Sequence, residues 1–329
     1  MMKKYILIFL FSIIPLITIF TLHRICYTEN IPYFNFKRKF SNVKLVLKNS
    51  KDLENNYIKI IGNIDSSIFL YTDDLVRIAK INFDTKIRDT LIKSKYPIQT
   101  ANIFDNKLYT FTIRSNVYSI FDNSLKFLKT DSTHCKFDRG AFFQNLFYYR
   151  YTNSKSIGQF MFANKNGKTK EAHYNVSDST IVDGGITTDG YFINNNKSLL
   201  YVEYHKGLFY KLDSNKIRGF KMPYTFDKIN GFSTVGNTFL IDRPIIAKNI
   251  FSSLDGDLLY NASFVKSSNQ TLKEFTNEVI VDVYDINKGK YLHSFYLPNK
   301  SHRKPQDILI RSKKLYVLYG KSIAKYEFL

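Results

Sequence analysis

Five charged residues stand within or beside stretches that otherwise have the composition of apolar β-strands. They are Arg114, Arg150, Glu203, Asp242 and Arg243. A charge among aromatic residues is rarely buried without a partner, so these side chains are predicted to face a central channel or its mouth and to bind a ligand there. An arginine in such a place binds carboxylate or phosphate groups through two parallel hydrogen bonds. The alternative is ordinary ion pairing between sheets, or exposure to solvent.

Other residue types that support chemistry occur without the spacing that chemistry requires. His134 and Cys135 are adjacent, and neighbours on a strand point to opposite faces, which argues against joint metal ligation. Asp255-Gly256-Asp257 and Asp183-Gly184-Gly185 contain oxygen ligands but continue into no recognisable calcium loop, so turns before strands explain them more simply. The prediction is therefore no catalytic residue, no metal and no cofactor, and a protein that is not an enzyme.

The elements that would position these residues recur along the chain. Six aliphatic-aromatic pairs each open an extended stretch, roughly 40 to 60 residues apart, a spacing typical of radial β repeats. The pairs are Ile68-Phe69, Leu108-Tyr109, Leu146-Phe147, Leu200-Tyr201, Leu259-Tyr260 and Leu315-Tyr316. Aromatic residues make up 16% of the chain and favour strands. The predicted fold is all-β, a six-bladed β-propeller.

The hairpin chemistry makes this prediction more specific. Residues 281–298 form an alternating strand, an Asp-Ile-Asn-Lys-Gly turn and a second alternating strand, with Asp, Asn and Gly where tight turns require them. The run Tyr-Asp-x-x-x-Gly-Lys-Tyr at 284–291 resembles a blade hairpin of six-bladed propellers of the TolB-like and NHL-like superfamily from bacterial envelopes. The resemblance covers about residues 43–329. It implies a fold and transfers no functional residue.

Two irregularities modify the repeat. The last repeat ends at Leu329 without an outer strand, and residues 43–48 alternate like a strand that has no blade of its own, so we expect them to pair with the C-terminal blade and close the ring. The fifth repeat contains an insertion, Ser267 to Glu278. Such a loop either carries binding function or is a tolerated surface insertion.

The N-terminus predicts a membrane anchor. Residues 5–22 form an apolar run after Lys3-Lys4, close to the ~20 residues that span a bilayer as a helix. No small-residue cleavage site follows, which favours an uncleaved signal anchor (residues 1–26) over a removed signal peptide. Residues 27–42 then form a juxtamembrane linker whose trio Lys37-Arg38-Lys39 is expected to lie against anionic headgroups. The propeller, residues 43–329, is expected on the extracytoplasmic side of a single-pass cell-membrane protein.

The net charge of +20 comes from 48 Lys and Arg against 28 Asp and Glu. The basic residues are dispersed through every repeat and form no nucleic-acid module, so nucleic acid is not the expected partner. Either compositional bias or an anionic partner explains the excess. The sequence therefore predicts a monomeric, non-enzymatic binding or scaffold module for a protein, peptide or anionic glycan. The alternative is an extracytoplasmic hydrolase or lactonase with a divalent cation in its channel.

Overall fold

The fold of the chain is given by a computed structural model. The structure describes residues 15, 18, 34–83, 90–112, 115–133, 136–152, 158–163, 169–171, 185–186, 188–213, 216–225, 232–235, 238–241, 246–300 and 303–329. Within these residues the chain is almost entirely β. No helix among them is long and apolar enough to cross a membrane.

The strands assemble into separate antiparallel sheets in chain order after a first strand, β1 (Leu45–Asp52). Sheet 1 contains β2 (Tyr57–Ile64), β3 (Ser67–Thr72), β4 (Arg77–Asn82) and β5 (Thr90–Lys93). Sheet 2 contains β6 (Ile98–Phe104), β7 (Lys107–Thr112), β8 (Val117–Phe121) and β9 (Phe127–Ser132). Sheet 3 contains β10 (Arg139–Phe143), β11 (Leu146–Thr152), β12 (Gly158–Ala163) and β13 (Thr169–Glu171).

The second half of the chain continues the pattern. Sheet 4 contains β14 (Gly190–Asn194), β15 (Leu199–Glu203), β16 (Leu208–Asp213) and β17 (Lys216–Lys221). A two-stranded sheet follows, formed by β18 (Phe232–Val235) and β19 (Thr238–Ile241). Sheet 5 contains β20 (Asn249–Asp255), β21 (Leu258–Ser263), β22 (Val279–Asp285) and β23 (Lys290–Leu297), with helix α1 (Leu272–Asn277) between its second and third strands. Sheet 6 contains β24 (Asp307–Arg311), β25 (Lys314–Leu318) and β26 (Ser322–Phe328), and β1 is its fourth strand.

These sheets form a ring, as in a β-propeller. The first strand of each four-stranded sheet is the innermost, and these strands contact one another in the order β2, β6, β10, β14, β20, β24 and back to β2. Sheets 1 to 5 are complete blades of four consecutive strands. The all-β propeller prediction is confirmed.

The hydrophobic core is divided among the sheets instead of filling the ring axis. Each cluster of buried side chains joins two neighbouring sheets, as Phe111 of sheet 2 packs on Phe147 of sheet 3 with ring centroids 5.7 Å apart. The largest cluster joins sheets 5 and 6 and includes Val281, Phe295 and Val317. Because apolar packing lies between the blades, the axis remains available for polar groups.

The aliphatic-aromatic pairs occupy a different place from the one expected. Each pair lies in the second strand of its sheet, as Leu146-Phe147 does in β11 and Leu315-Tyr316 in β25. An additional innermost strand precedes each pair, joined to it by a short hairpin. Several of these hairpins have non-glycine residues at positive φ, including Asp65, Asp105 and Asn106, which matches the turn types whose twist suits two-residue hairpins.

The ends of the described chain meet in sheet 6. Strand β1 pairs antiparallel with β26, from Leu45 opposite Phe328 to Asp52 opposite Ser322. The strand extends beyond the residues 43–48 expected from the sequence, and it supplies the outer strand that the last repeat lacks. The edge of β26, which would otherwise offer unpaired backbone groups, is therefore covered.

Residues Phe34–Ser41, here called the N-terminal strap, lie across sheet 5 before the chain enters β1. Phe36 packs on Tyr224 with centroids 5.6 Å apart, and Phe40 stacks on Tyr296 at 4.8 Å. The backbone of Ser294 in β23 donates to Lys39 and accepts from Ser41. Residues 34–41 thus belong to the packed domain, although the sequence assigned them to a linker.

Arg38 anchors the strap through its side chain. The expectation that this side chain lies against lipid headgroups is wrong. Its side chain is fully buried against the equally buried Asp282 of β22, with Nε 2.8 Å from Oδ1 and Nη2 3.1 Å from Oδ2. Nη2 also donates to Ser263 Oγ at 2.7 Å. Burial alone would lower the pKa of Arg38, but the facing Asp282 carboxylate raises it above its ordinary value.

The insertion in sheet 5 holds this strap. Ser267 to Gln270 approach it directly: the Ser268 amide donates to the Phe36 carbonyl at 2.9 Å, and Asn269 bonds both the amide and the carbonyl of Arg38 at 3.0 Å. Thr271 is the N-cap of helix α1 and forms a capping box with Glu274. The insertion therefore has a structural role that the sequence did not identify.

Candidate functional site

The axis of the ring contains a cavity of about 280 Å³, here called the inner chamber. All six innermost strands contribute to its wall. Ile58 and Ile250, which are exposed, lie near the starts of their strands, and Leu254 and Arg311 lie near the far ends. A second cavity, the turn-side mouth, is lined by the hairpin turns that follow the innermost strands.

The charged residues among those lining the inner chamber are Lys59, Arg139 and Arg311. Neither a carboxylate nor an imidazole belongs to the described residues that line it. The formal charges along the described chamber wall are therefore all positive.

Lys59 and Arg139 are held by carboxylates outside the chamber wall. Lys59 Nζ lies 3.2 Å from Asp307 Oδ1, and it also lies 5.0 Å from the ring centroid of Tyr191 across the channel. Asp307 Oδ2 accepts from the Ile60 amide at 2.7 Å. Burial raises the pKa of Asp307 even though Lys59 opposes that rise.

Arg139 is fixed from the neighbouring sheet. Its Nε donates to the Gly190 carbonyl at 2.9 Å, and its Nη2 donates to Asp189 Oδ2 at 3.0 Å. Burial would lower the pKa of Arg139, but the Asp189 charge contributes to raising it. The guanidinium therefore stays charged at the chamber wall.

Arg311 closes the far end of the chamber. It lines both the inner chamber and the turn-side mouth, and its guanidinium bonds three other sheets. Nε lies 3.3 Å from Asn63 Oδ1, Nη1 donates to the Leu254 carbonyl at 2.8 Å, and Nη2 lies 3.3 Å from the Asn194 carbonyl oxygen. The side chain therefore forms a floor between the two cavities.

Three tyrosines complete the polar wall of the chamber. Burial raises the pKa of Tyr204 to about 12 and raises those of Tyr71 and Tyr191 further. The Tyr191 hydroxyl lies 2.7 Å from Ser252 Oγ. All three phenols are therefore neutral at physiological pH, and their rings offer flat apolar surface for a ligand.

Of the five residues predicted from the sequence, Arg150 and Glu203 are described. Arg150 is buried in β11, one strand away from the axis, where Nη1 lies 3.2 Å from Asp138 Oδ2 and Nη2 donates to Thr188 at 3.0 Å. Glu203 is buried at the end of β15 and accepts from the Tyr210 hydroxyl at 2.7 Å. Neither lines the inner chamber, which corrects the predicted projection into the channel. Arg150 instead follows the ion-pairing alternative.

Arg114, Asp242 and Arg243 lie outside the described residues, so their predicted role in ligand binding remains a prediction. The same holds for His134 and Cys135. Asp255 and Gly256 form part of a hairpin turn, with Gly256 at a φ of 56°. Within the described ranges, no group of three or more His, Cys, Asp or Glu could hold a metal ion.

The sequence interpretation missed Lys59, Arg139 and Arg311 because it counted strands from the aliphatic-aromatic pairs. Those pairs are one strand removed from the axis, so charges near them are also one strand removed. A usable signal was the turn before each pair, such as Asp105-Asn106, which marks a preceding strand. Charges in that preceding strand are the ones that reach the channel.

Comparison of the sequence with models of known protein families and with curated proteins finds no match. Solved structures of similar fold include a putative exported protein from Bacteroides fragilis, with 9% identity over 89% of this chain and 97% of that one and a TM-score of 0.57. A catalytically inactive virginiamycin B lyase from Staphylococcus aureus, solved with quinupristin, has 12% identity over 88% of this chain and 100% of that one, with a TM-score of 0.51.

A protein of unknown function from Bacteroides thetaiotaomicron has 14% identity over 88% of this chain and 73% of that one, also with a TM-score of 0.51. Identities this low show the fold alone.

Proposed function

We propose that this chain is a membrane-anchored, extracytoplasmic propeller that binds a protein, peptide or glycan partner without transforming it. A small group of that partner enters the inner chamber. The observation that carries this proposal is the chamber wall, where three cations and three neutral phenols surround a cavity of about 280 Å³. That volume is at the lower limit of ordinary ligand sites, about 300–1,000 Å³.

A binding role agrees with the protonation states of this wall. General acid-base catalysis at neutral pH is most efficient when the catalytic group titrates near neutrality. Tyr204, with a pKa of about 12, does not titrate there, and Arg139 remains charged. These groups suit recognition by hydrogen bonds that do not change with pH.

The proposal also includes the number of blades and the location of the domain. We take sheets 1 to 6 as six blades of a TolB-like or NHL-like ring, a count supported by the cyclic contacts of the innermost strands. Residues 5–22 serve as the signal anchor, and their apolar run after Lys3-Lys4 supports an envelope location. Protease added to intact spheroplasts should digest the domain if it lies outside, and protection would contradict this location.

The binding role is tested by ligand-observed NMR with a library of small neutral, acidic and basic compounds. Thr100 lines the chamber, so the larger side chain of Thr100→Phe should obstruct it and weaken or abolish binding of compounds that the unaltered protein binds. Ser50→Phe, on the exposed outer strand β1, is the matched control and should bind them normally. Compounds that bind both variants equally would contradict the proposal.

The same experiment tests the alternative of a hydrolase or lactonase. New product resonances that depend on added Ca²⁺ or Mg²⁺ and disappear in Thr100→Phe would favour the enzyme and overturn the non-enzymatic role.

A further inference from the structure

Arg311 carries a charge whose described partners are all neutral. Its three hydrogen bonds end on the Asn63 amide oxygen and on two backbone carbonyls, from sheets 1, 5 and 4. Within the described part of the chain, no carboxylate lies at ion-pair distance from it. Lys59 and Arg139, by contrast, each have an aspartate within 3.2 Å. Arg311 is thus the chamber cation whose charge is not balanced by direct contact.

The pKa of Arg311 agrees with the absence of a described carboxylate at ion-pair distance. Burying a charge is costly unless it is paired, and burial lowers the pKa of Arg311, with Asp255 opposing that shift from a distance. A guanidinium has five N–H donors, and the three bonds to described residues use three of them. One donor therefore remains on each terminal nitrogen, and a carboxylate can accept hydrogen bonds from such donors while balancing the guanidinium charge.

The direction of approach follows from the charges on either side of Arg311. The turn-side mouth is lined by Asp65, Asp105 and Asp255 with one cation from outside the chamber, Lys197, so it opposes anions. The inner chamber has no described carboxylate in its wall and contains the two other cations. An anion is therefore expected to reach Arg311 from the inner chamber.

We propose that the inner chamber binds the carboxylate of a small organic acid, with Arg311 as the principal contact. This inference rests on the proposed binding role of the chamber and adds the class of group that enters it. One unpaired positive charge matches one carboxylate, and the flat rings of Tyr71, Tyr191 and Tyr204 pack against the carbon body of the acid. Ile58 and Ile250 at the rim extend that apolar surface.

Benzoate is a suitable probe, and benzamide is its neutral control of the same shape. Calorimetric titration of the full-length protein should give saturable benzoate binding that is about 10- to 100-fold tighter than benzamide binding, the range expected for a charged hydrogen bond. Arg311→Gln should weaken benzoate by a similar factor and leave benzamide unchanged. Arg311→Lys retains the charge but loses the planar donor pair, so an intermediate affinity is expected.

Arg218→Gln is the matched control, because Arg218 lies half-exposed on the outer strand β17 with a single aspartate partner at 3.3 Å. It should not alter benzoate binding. If Arg311→Gln does not fold, the benzoate-to-benzamide ratio in the unaltered protein still decides the question. Equal affinities would overturn the proposal, as would inorganic phosphate binding in place of benzoate.

The two proposals fail in different ways. Suppose that compounds bind the chamber with affinities that do not depend on their charge, that Thr100→Phe abolishes this binding and that Arg311→Gln does not. That result would refute the carboxylate site and leave the proposed binding role intact. Benzoate binding that survives Thr100→Phe would place the acid elsewhere and refute the assignment of the inner chamber as its binding site.

Discussion

Replacing Arg38 with Met should destabilise the whole domain strongly. The substitution keeps much of the aliphatic volume but removes the guanidinium that bonds both carboxylate oxygens of Asp282. Among the described residues, Asp282 would then keep two hydroxyl donors, Ser263 at 2.6 Å and Ser294 at 2.5 Å, for a charge with no exposed surface. Breaking a buried pair on one side costs about 3–5 kcal/mol.

A double-mutant cycle separates the pair from its surroundings. Asp282→Leu alone should cost a similar amount, because it leaves Arg38 buried with neutral acceptors. The double variant, Arg38→Met with Asp282→Leu, removes both charges and should be more stable than either single variant. Urea unfolding of the purified full-length protein, followed by circular dichroism, measures these free energies. At about 2–4 °C for each kcal/mol, Arg38→Met should lower Tm by about 6–20 °C.

An exposed pair provides the control. Lys48 of β1 lies 3.2 Å from Glu327 of β26, and both side chains are more than one-third exposed. Like the Arg38–Asp282 pair, this pair joins the N-terminal and C-terminal parts of the chain. Lys48→Met should nevertheless lower the free energy of unfolding by about 1 kcal/mol or less. A cost for Arg38→Met as small as that of Lys48→Met, or a double variant no better than the singles, would refute the role assigned to the buried pair.

Three further outcomes are expected. The pKa of Asp307 is raised in the folded state, so its favourable contribution to the free energy of unfolding is complete below the unfolded pKa and is lost as pH rises through the folded pKa. Asp307→Asn removes this titration and should make the urea midpoint fall less between pH 4 and pH 7 than it does in the unaltered protein. An unchanged slope would contradict this. Deleting residues 43–52 should expose β26, lower Tm and promote aggregation in light scattering, and an unaltered midpoint would disprove closure by β1. Thr271→Ala should accelerate amide hydrogen exchange in α1 while the exchange of β22 stays slow; equal acceleration in both would show that the cap stabilises all of sheet 5.

The architecture was predictable from sequence because its signal is local. An aliphatic-aromatic pair such as Leu200-Tyr201 packs within its own sheet and against a neighbouring one, so every blade repeats the pattern independently. The pairs did not reveal which strand is innermost, since periodicity gives the order of strands and not their distance from the axis.

The chamber was not predictable because its residues meet only through the closed ring. Arg311 and its partner Asn63 are 248 positions apart in the chain, and Lys59 is equally far from Asp307. In a chain with 48 Lys and Arg, nothing in the local sequence distinguishes Arg311 or Lys59 from the other basic residues. Arg38 was misplaced for the same reason, because Asp282, which explains its burial, lies 244 residues away.

The pairing of β1 with β26 has a consequence for the order in which the protein matures. The strap and β1 are among the first described residues to be synthesised, yet their partner strand Ser322–Phe328 is among the last. Closing so long a loop carries an entropic cost that must be met before its contacts form. Ring closure must therefore await the synthesis of β26, and a chain extended only as far as sheet 5 would form an open arc. Removing residues 323–329 would leave β1 without most of its partner strand and the ring open.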